Sequence, residues 1–356
     1  MASGKKHRKG GRALAGAVGT LLLAIVAVVG GDWLLTNRIG AFRSDADIYV
    51  SPGDKPSDVV RKLDSAAGVR YPSRLERTFE KGRVAEYMKP GHYRIEKDFA
   101  CRYVARMPNN GWQAPVKVTL SGNLRSVGDI AGKLSRQLSL DSLEIASAMT
   151  DAQLLRRLGF TPESAFALFI PDTYEMYWNI SAEDLMLRMK KAYDAFWTPV
   201  RDAQAKALGL NRTKVAILAS IVNCESNYVP DYPQLAGVYV NRLRKGMPLQ
   251  ACPTVQFCFD FKISRILYEH LQVDSPYNTY THYGLPPGPI CSPTREALDG
   301  VLNADTQSGY LYFCASSEFN GRHKFSKTFR EHEAYARDYQ SELDLRVREK
   351  RNSQKK

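Results

Sequence analysis

The segment Val215–Tyr228, "VAILASIVNCESNY", ends an apolar helical pattern on an acidic residue. Leu218, Ile221 and Val222 follow the i, i+3, i+4 spacing that gathers side chains on one face of an α-helix. Glu225 stands seven residues after Leu218, so its carboxyl points in the same direction. The serine, asparagine and proline that follow compete for backbone hydrogen bonds or lack a donor, and are expected to end the helix. The pattern therefore predicts an acid at the mouth of whatever this helix packs into.

The composition is that of a folded protein with charged termini. The chain has 356 residues, 44% hydrophobic content and a formal net charge of +13, which allows two or three modest domains. Residues 1–12 contain five basic residues and no acidic one, and residues 346–356 contain six basic residues against one acid. Little of the net charge remains between these tails. A nucleic-acid partner, which needs a basic groove, is not expected.

An uncharged run of 19 residues, 13–31, follows the first basic tail. At about 1.5 Å per residue it can cross a hydrocarbon core of about 30 Å. We predict a cytoplasmic tail over 1–12 and a transmembrane anchor over 13–35, with the rest of the chain outside by the positive-inside rule. The alternative is a cleaved signal peptide, but the run is long and "VAVVGGDW" is a poor cleavage site.

The segment "DIYVSPGDKPSDVVRKL" predicts a strand, a turn and a helix, and "VKVTLSGNLRSVGDIAGKL" repeats that order. Between them, "MKPGHYRI" predicts a second strand. Small units of this kind resemble LysM-type sugar-binding modules, although a plain spacer subdomain fits the pattern equally well. We predict an α+β protein with an N-terminal transmembrane helix, a small LysM-like α/β subdomain over 46–115 and a larger, mainly helical α+β domain over 116–345. The basic tail 346–356 is expected to be a solvated helix end.

Familiar catalytic motifs are missing from the sequence. It has no G-x-S-x-G, Walker A, H-E-x-x-H or Rossmann glycine pattern, and its six histidines are scattered. Neither a metal nor a cofactor is expected. What remains is Glu225, followed by loops rich in tyrosine, asparagine and proline, which suit the rings and hydroxyls of a carbohydrate. A carboxyl beside apolar groups keeps its proton to higher pH and can protonate a glycosidic oxygen. The alternative is an ordinary surface or salt-bridged glutamate.

Six motifs follow one another within residues 48–332: "FIPDTYEMYWN", "ILASIVNCES", "AGVYVNRLRKGMPLQACPTVQF", "DSPYNTYTHYGLPPGPI", "LNADTQSGYLYFCA" and "HKFSKTFREH". In this order they resemble the endolytic murein transglycosylase (YceG-like) family, most closely its Bacteroidota-type members. The resemblance implies a protein anchored in the inner membrane whose periplasmic domain cuts nascent peptidoglycan glycan strands internally, helping to end their elongation. It implies 1,6-anhydro-N-acetylmuramic acid ends, and coupling to peptidoglycan synthases. The family's catalytic acid falls on Glu225.

The family's cleft motifs imply further residues in contact with the glycan, each of which could instead serve loop architecture. Two positions depart from the family pattern: Asn223 replaces a glutamate and Cys252 replaces an aspartate. We hypothesise that Cys252 pairs with Cys258, Cys224 or Cys291, because six cysteines in an oxidising compartment permit disulfides. The residues implied in substrate contact are Asn241, Gln250, Thr254, Tyr277, Asn278, Thr279 and Tyr280.

Two other functions fit the same residues. The two departures could leave a catalytically weakened protein that binds or scaffolds peptidoglycan, and this protein would bind sacculi without releasing product. A hydrolytic muramidase would leave reducing ends and take up oxygen from water. A lytic transglycosylase leaves anhydro ends, so the products separate all three.

Overall fold

The computed structural model describes residues 8–353. The predicted tails over 1–12 and 346–356 therefore lie partly outside the described residues. The chain divides into two units, one reaching to Val116 and including Glu175–Asn179, the other comprising Lys117–Tyr174 and the chain from Ile180 onward. Two strands of the second unit each have one or two terminal residues that fall in the first.

The first unit contains a two-stranded antiparallel sheet. Most of its helices lie between these two strands in the chain. Ala46 pairs with Ile95 at one end of the sheet and Val50 with Gly91 at the other. Alternate residues of both strands point into one apolar core, which the intervening helices cover. The elements are α1 Arg8–Asn37, β1 Ala46–Val50, α2 Pro56–Ala67, α3 Pro72–Lys81, α4 Val84–Tyr87, β2 Gly91–Ile95 and α5 Cys101–Asn110.

Helix α1 is long and apolar enough to cross a membrane. The segment Ala15–Asn37 has a mean hydropathy of 2.1, and none of its apolar window is buried. A membrane anchor has to be an apolar helix of about this length whose side chains are not covered by the rest of the protein. The sequence prediction of one apolar N-terminal helix is confirmed, while its orientation stays a prediction.

The second unit is built mainly from helices, with two small sheets. Strand β3 pairs with β4, and β5 with β6 in an antiparallel hairpin. Its elements are β3 Val116–Leu120, α6 Val127–Ser135, α7 Ser142–Thr150, α8 Ala152–Leu158, β4 Asp172–Met176, α9 Ala182–Phe196, α10 Pro199–Ala207, α11 Arg212–Glu225, α12 Tyr232–Arg244, α13 Cys252–Cys258, α14 Arg295–Leu302, β5 Tyr312–Ala315, β6 His323–Ser326 and α15 Phe329–Ser353.

Helix α11 is the central helix of this unit. Asn211 caps it by accepting a hydrogen bond from the Lys214 amide. Every residue from Val215 to Val222 is buried, so the predicted apolar stripe is confirmed and the buried surface also extends to the other sides of the helix. Helices α12, α13 and α14 all pack against it, and a helix covered on several sides must be apolar all round.

A buried hydroxyl ties α11 to the proline-rich loop. Ser220 donates to the Ile217 carbonyl at 2.7 Å and accepts from the Ile290 amide at 3.0 Å. The helix then ends at Glu225, because Ser226 is extended with φ −144° and ψ 147°. The predicted end of this helix is confirmed.

The predicted strand, turn and helix sequences are also confirmed, as β1 with α2 and β3 with α6. The strand expected in "MKPGHYRI" is β2. The helix-rich α+β class is confirmed by the observed elements. The LysM likeness and the domain boundaries stay predictions.

Close packing of α12 depends on a glycine. An ideal Cβ on Gly237 would lie 2.2 Å from the backbone oxygen of Asp305, a distance that no real contact tolerates. Position 237 therefore sets how closely α12 approaches the segment after α14.

We expect Gly237→Ala to lower the free energy of unfolding by about 2 kcal/mol or more, because overpacking displaces backbone. Urea unfolding followed by circular dichroism measures this loss. The matched control is Gly132→Ala on α6, where the nearest atom to the new Cβ is 3.8 Å away. It should be neutral or stabilising by up to about 1 kcal/mol. Equal stability of the two variants would contradict this account of α12.

Candidate active site

The site is centred on a hydrogen bond between the end of α11 and the middle of α12. Tyr239 donates from its hydroxyl to Glu225 Oε1 at 2.6 Å. The tyrosine is buried at 1% exposure, and both burial and the neighbouring carboxylate raise its pKa well above 10. Tyr239 is consequently a permanent donor, aimed at the carboxyl.

The carboxyl of Glu225 holds its proton unusually well. Burial raises the pKa of Glu225 to about 7, although the Tyr239 hydrogen bond and the Arg242 charge both favour the ionised form. Loss of hydration therefore outweighs the two stabilising partners. At neutral pH this group is present in both protonation states, the condition that suits a general acid and base.

Arg242 is buried and fixed by main-chain carbonyls. Its Nε donates to the Leu311 carbonyl at 2.7 Å and its Nη1 to the Leu249 carbonyl at 2.8 Å. Its guanidinium also lies over the Tyr312 ring, 5.3 Å from the centroid. These contacts hold a positive charge on the same helix as Tyr239 and join the loop after α12 to the start of the β5–β6 hairpin.

A cavity of about 470 Å³ opens beside Glu225. Its walls come from the end of α11, the β5–β6 hairpin and α15, and Glu225 is the acidic residue among them. A volume in this range suits a sugar-sized ligand. The lining residues are Glu225, Ser226, Asn227, Tyr228, Ala315, Ser316, Phe319, Gly321, Arg322, His323 and Tyr339.

His323 in this wall pairs with Asp231 behind it, a contact that the sequence did not predict. Asp231 Oδ2 accepts from the His323 amide at 2.8 Å and lies 3.0 Å from His323 Nδ1. Both side chains are about 10% exposed, at 10% and 11%. No local sign of this pairing is present in the sequence, because the partner of His323 lies 92 residues away in the chain. The motif "HKFSKTFREH", which begins at His323, was the signal available.

Three of the seven residues predicted to contact substrate are at least partly exposed. Gln250 is exposed, with a left-handed backbone at φ 50°. The Tyr277 ring packs against that of Phe257 at a tilt of 43°, with centroids 4.6 Å apart. The Tyr280 hydroxyl lies 3.2 Å from Cys252 Sγ, and the Glu225 charge is among the causes that raise the Tyr280 pKa, after burial and Cys252.

The other four are buried and hydrogen-bonded within the loops. Asn241 donates to the Tyr310 carbonyl at 3.1 Å. Thr254 and Thr279 share a hydroxyl contact of 2.9 Å, and Asn278 donates to the Leu271 and Val273 carbonyls at 3.0 and 2.9 Å. Their contacts are loop contacts, and their roles towards substrate stay predictions.

The two departures from the family pattern place neutral groups near the acid. Asn223 Nδ2 lies 4.0 Å from Cys291 Sγ. Cys252 is an exposed free thiol, so the hypothesised bridge from Cys252 is not formed. The two thiols that contact each other are instead those of Cys224 and Cys291, whose sulfurs lie 3.4 Å apart. Within residues 8–353, no group of three or more His, Cys, Asp or Glu side chains could hold a metal ion.

This fold belongs to a known protein family. The model of the YceG-like family matches residues 48–338, and the chain therefore belongs to the YceG-like family. A crystal structure of a YceG-like protein from Listeria monocytogenes superposes with a TM-score of 0.54 at 26% identity, covering 82% of this chain and 98% of that one. The fold of this chain is thus shared with that protein.

Two curated relatives are each called endolytic murein transglycosylase. That of Bacillus subtilis strain 168 is 36% identical over 154 residues, covering 43% of this chain and 42% of the relative. That of Streptococcus pneumoniae serotype 2 strain D39 is 25% identical over 259 residues, covering 64% and 46%. The chain spans about half the length of the curated relatives it matches.

We expect the Glu225 carboxyl to titrate near pH 7, and to titrate at still higher pH in Tyr239→Phe. The phenylalanine removes a donor that stabilises the ionised form. Carboxyl-detected NMR of the ¹³C-glutamate-labelled protein measures both values, with Glu225→Gln assigning the signal. Tyr283→Phe, at an exposed tyrosine, should leave the titration unchanged. A titration near the ordinary value of 4.5 would contradict the assignment of a buried acid.

Mild oxidation with diamide should join Cys224 to Cys291. Their sulfurs are in contact, whereas Cys252 contacts a tyrosine hydroxyl. Mass spectrometry of the non-reduced digest identifies the linked peptides, and the buried Cys101 of the first unit should stay reduced as an internal control. Finding Cys252 in the bridge, or only free thiols, would count against this pairing.

Proposed function

We propose that this protein is a membrane-anchored endolytic lytic transglycosylase that cleaves peptidoglycan glycan strands. The observation that carries the proposal is a carboxyl with a pKa of about 7, held by Tyr239 at the edge of a sugar-sized cavity. Membership of the YceG-like family and the names of the two relatives support the same activity.

In the proposed reaction Glu225 acts first as an acid. Its protonated carboxyl gives the proton to the oxygen that links N-acetylmuramic acid to N-acetylglucosamine, so the bond at C1 breaks and the leaving sugar departs as an alcohol. The resulting carboxylate then takes the proton from the C6 hydroxyl of the muramic acid while O6 bonds to C1. The product is a 1,6-anhydro end, no water is consumed, and Glu225 regains its proton.

One carboxyl is enough for this chemistry. Hydrolytic glycosidases use a second carboxylate as nucleophile or base, whereas here the sugar's own hydroxyl is the nucleophile. In the described part of the chain, the cavity wall contains one acidic residue, Glu225. The nearby Asp231 already accepts two hydrogen bonds from His323. This arrangement favours the lytic reaction over the hydrolytic one.

The loops after α12 are assigned to glycan binding. Tyr277 and Tyr280 offer ring faces on which a pyranose can stack, and the exposed Gln250 offers an amide. The buried residues Asn241, Thr254, Asn278 and Thr279 would then act by fixing these loops.

We assign the protein to the inner membrane as a single-pass protein. Helix α1 would be the anchor, with a cytoplasmic N-terminus and a periplasmic catalytic unit, as the positive-inside rule favours. The order β1, α2, α3, β2, interrupted before β2 only by the four-residue α4, supports a LysM-like role for the first unit in holding the glycan. Acting on nascent strands, the enzyme would help to end their elongation alongside the peptidoglycan synthases.

The decisive test is digestion of purified murein by the full chain and by Glu225→Gln. The wild type should release muropeptides with 1,6-anhydro ends, and the variant should lose at least about 10²-fold in rate because it has neither acid nor base. Mass spectrometry of the muropeptides identifies the ends. Glu269→Gln, whose side chain is 75% exposed, is the matched control and should retain activity.

Loss of activity in Glu225→Gln should not come from loss of structure. The folded pKa of Glu225 lies above the ordinary 4.5, so the unfolded state releases the proton first and stability falls as pH rises from about 4.5 to about 7. Glutamine removes this penalty, and the variant should be more stable than wild type at pH 8 but not at pH 4.

Two outcomes of the murein digestion would refute the proposal. Products with reducing ends would indicate a hydrolase, and binding to sacculi with no product would indicate a scaffold.

A further inference from the structure

A second cavity, of about 510 Å³, lies in the first unit where α1 meets α3 and α5. Its lining contains five basic residues and one acid, Asp32. The basic residues come from two helices, and α1 contributes the polar residues of its last turns. The basic residues are Arg74, Arg77, Lys81, Arg102 and Arg106.

The basic face of α3 follows from helical spacing. Arg74, Arg77 and Lys81 recur at i, i+3 and i+7, so they lie on one side of the helix. Glu76 and Glu80 are absent from the cavity lining. The sequence thus segregates the charges of α3 by face.

Specific contacts fix α1 against this basic surface. Arg74 Nη1 donates to the Asp32 carboxylate at 2.5 Å and to the Thr36 hydroxyl at 3.2 Å. Arg102 Nη1 donates to Asn37 Oδ1 at 3.2 Å. The cavity is therefore held at a set position along α1.

That position matches the phosphate level of a bilayer. The uncharged run 13–31 is about 28 Å long at 1.5 Å per residue, close to the thickness of the hydrocarbon core. Asp32, Trp33 and Thr36 follow directly and line the cavity. Trp33 is 52% exposed, as expected of an aromatic residue at the membrane interface.

Most of the positive charge in the cavity is not neutralised by the protein. Asp32 pairs with Arg74. Within the described residues, Arg77, Lys81, Arg102 and Arg106 form no ion pair, and all four are exposed. The buried Nε of Arg74 also has no hydrogen-bond partner there. Clustered guanidinium groups of this kind bind phosphate oxygens through paired hydrogen bonds.

We infer that this cavity is a binding site for the phosphate of an anionic lipid headgroup, placed at the membrane surface by α1. The inference rests on the proposed membrane anchoring and goes beyond the proposed activity. A bound headgroup would fix the tilt and rotation of the first unit on the bilayer. It would do so by joining α1, α3 and α5 through one shared anion.

The test uses the full chain in nanodiscs made of equal parts phosphatidylglycerol and phosphatidylcholine. Native mass spectrometry of the released protein should show retained phosphatidylglycerol in preference to phosphatidylcholine. In the triple variant Arg77→Gln, Lys81→Gln, Arg106→Gln, the ratio of retained phosphatidylglycerol to phosphatidylcholine should be at least about tenfold lower. The matched control, Arg61→Gln with Arg94→Gln, changes two exposed basic residues outside the cavity and should behave as wild type.

Equal retention of the two lipids by the wild type would overturn the inference, as would an unchanged preference in the triple variant. A further arm adds inorganic phosphate, which should not displace the lipid. Displacement at equal concentration would assign the site to free phosphate and also overturn it. Co-migration with the discs reports anchoring, and murein digestion reports the proposed activity. Loss of either readout is distinguishable from loss of lipid preference.

Discussion

The contact between the Tyr239 hydroxyl and the Glu225 carboxyl is the constraint on which the site depends. The hydroxyl comes from the middle of α12 and the carboxyl from the last residue of α11, so the two helices must hold these oxygens 2.6 Å apart. Glycine at position 237 permits the close packing of α12, and Ser220 anchors α11 to the proline-rich loop. The apolar content of α11 supplies the dry surroundings that raise the pKa, so the same residues stabilise the fold and set the proton affinity of the acid.

Local sequence signals predicted the elements well. The spacing around Leu218 predicted the helix and the polar residues after Glu225 predicted its end, while the catalytic role that the family resemblance implies for Glu225 stays a prediction. What sequence reading could not supply was the partner of the carboxyl. The position of Tyr239 in α12 is consistent with burial, but no local signal tells which group on another helix its hydroxyl meets. Asp231 and His323 were missed for the same reason, because their contact spans 92 residues.

The two departures from the family pattern acquire a physical meaning in this geometry. A thiol with an ordinary pKa of about 8.5 is neutral at pH 7, whereas the aspartate that the resemblance implies at Cys252 would carry a negative charge. A second negative charge near Glu225 would raise its pKa further. With Cys252 and Asn223 neutral, burial is the main influence on the proton affinity of Glu225, and it raises the pKa of this carboxyl to about 7. The substitutions are thus compatible with an active acid.

The net charge of a segment does not show how its charges are distributed over the faces of a helix. Summed along the chain, the charge lies in the two tails and little remains between them. The α3 segment alone carries Arg74, Arg77 and Lys81 together with Glu76 and Glu80, so its sum is small. Helical geometry places the basic members against α1, and the surface at that point is strongly positive although the segment is nearly neutral. A polyanion such as nucleic acid needs an extended basic groove, whereas one headgroup needs a compact cluster at a fixed depth. The basic residues of α3 form a compact cluster of this kind.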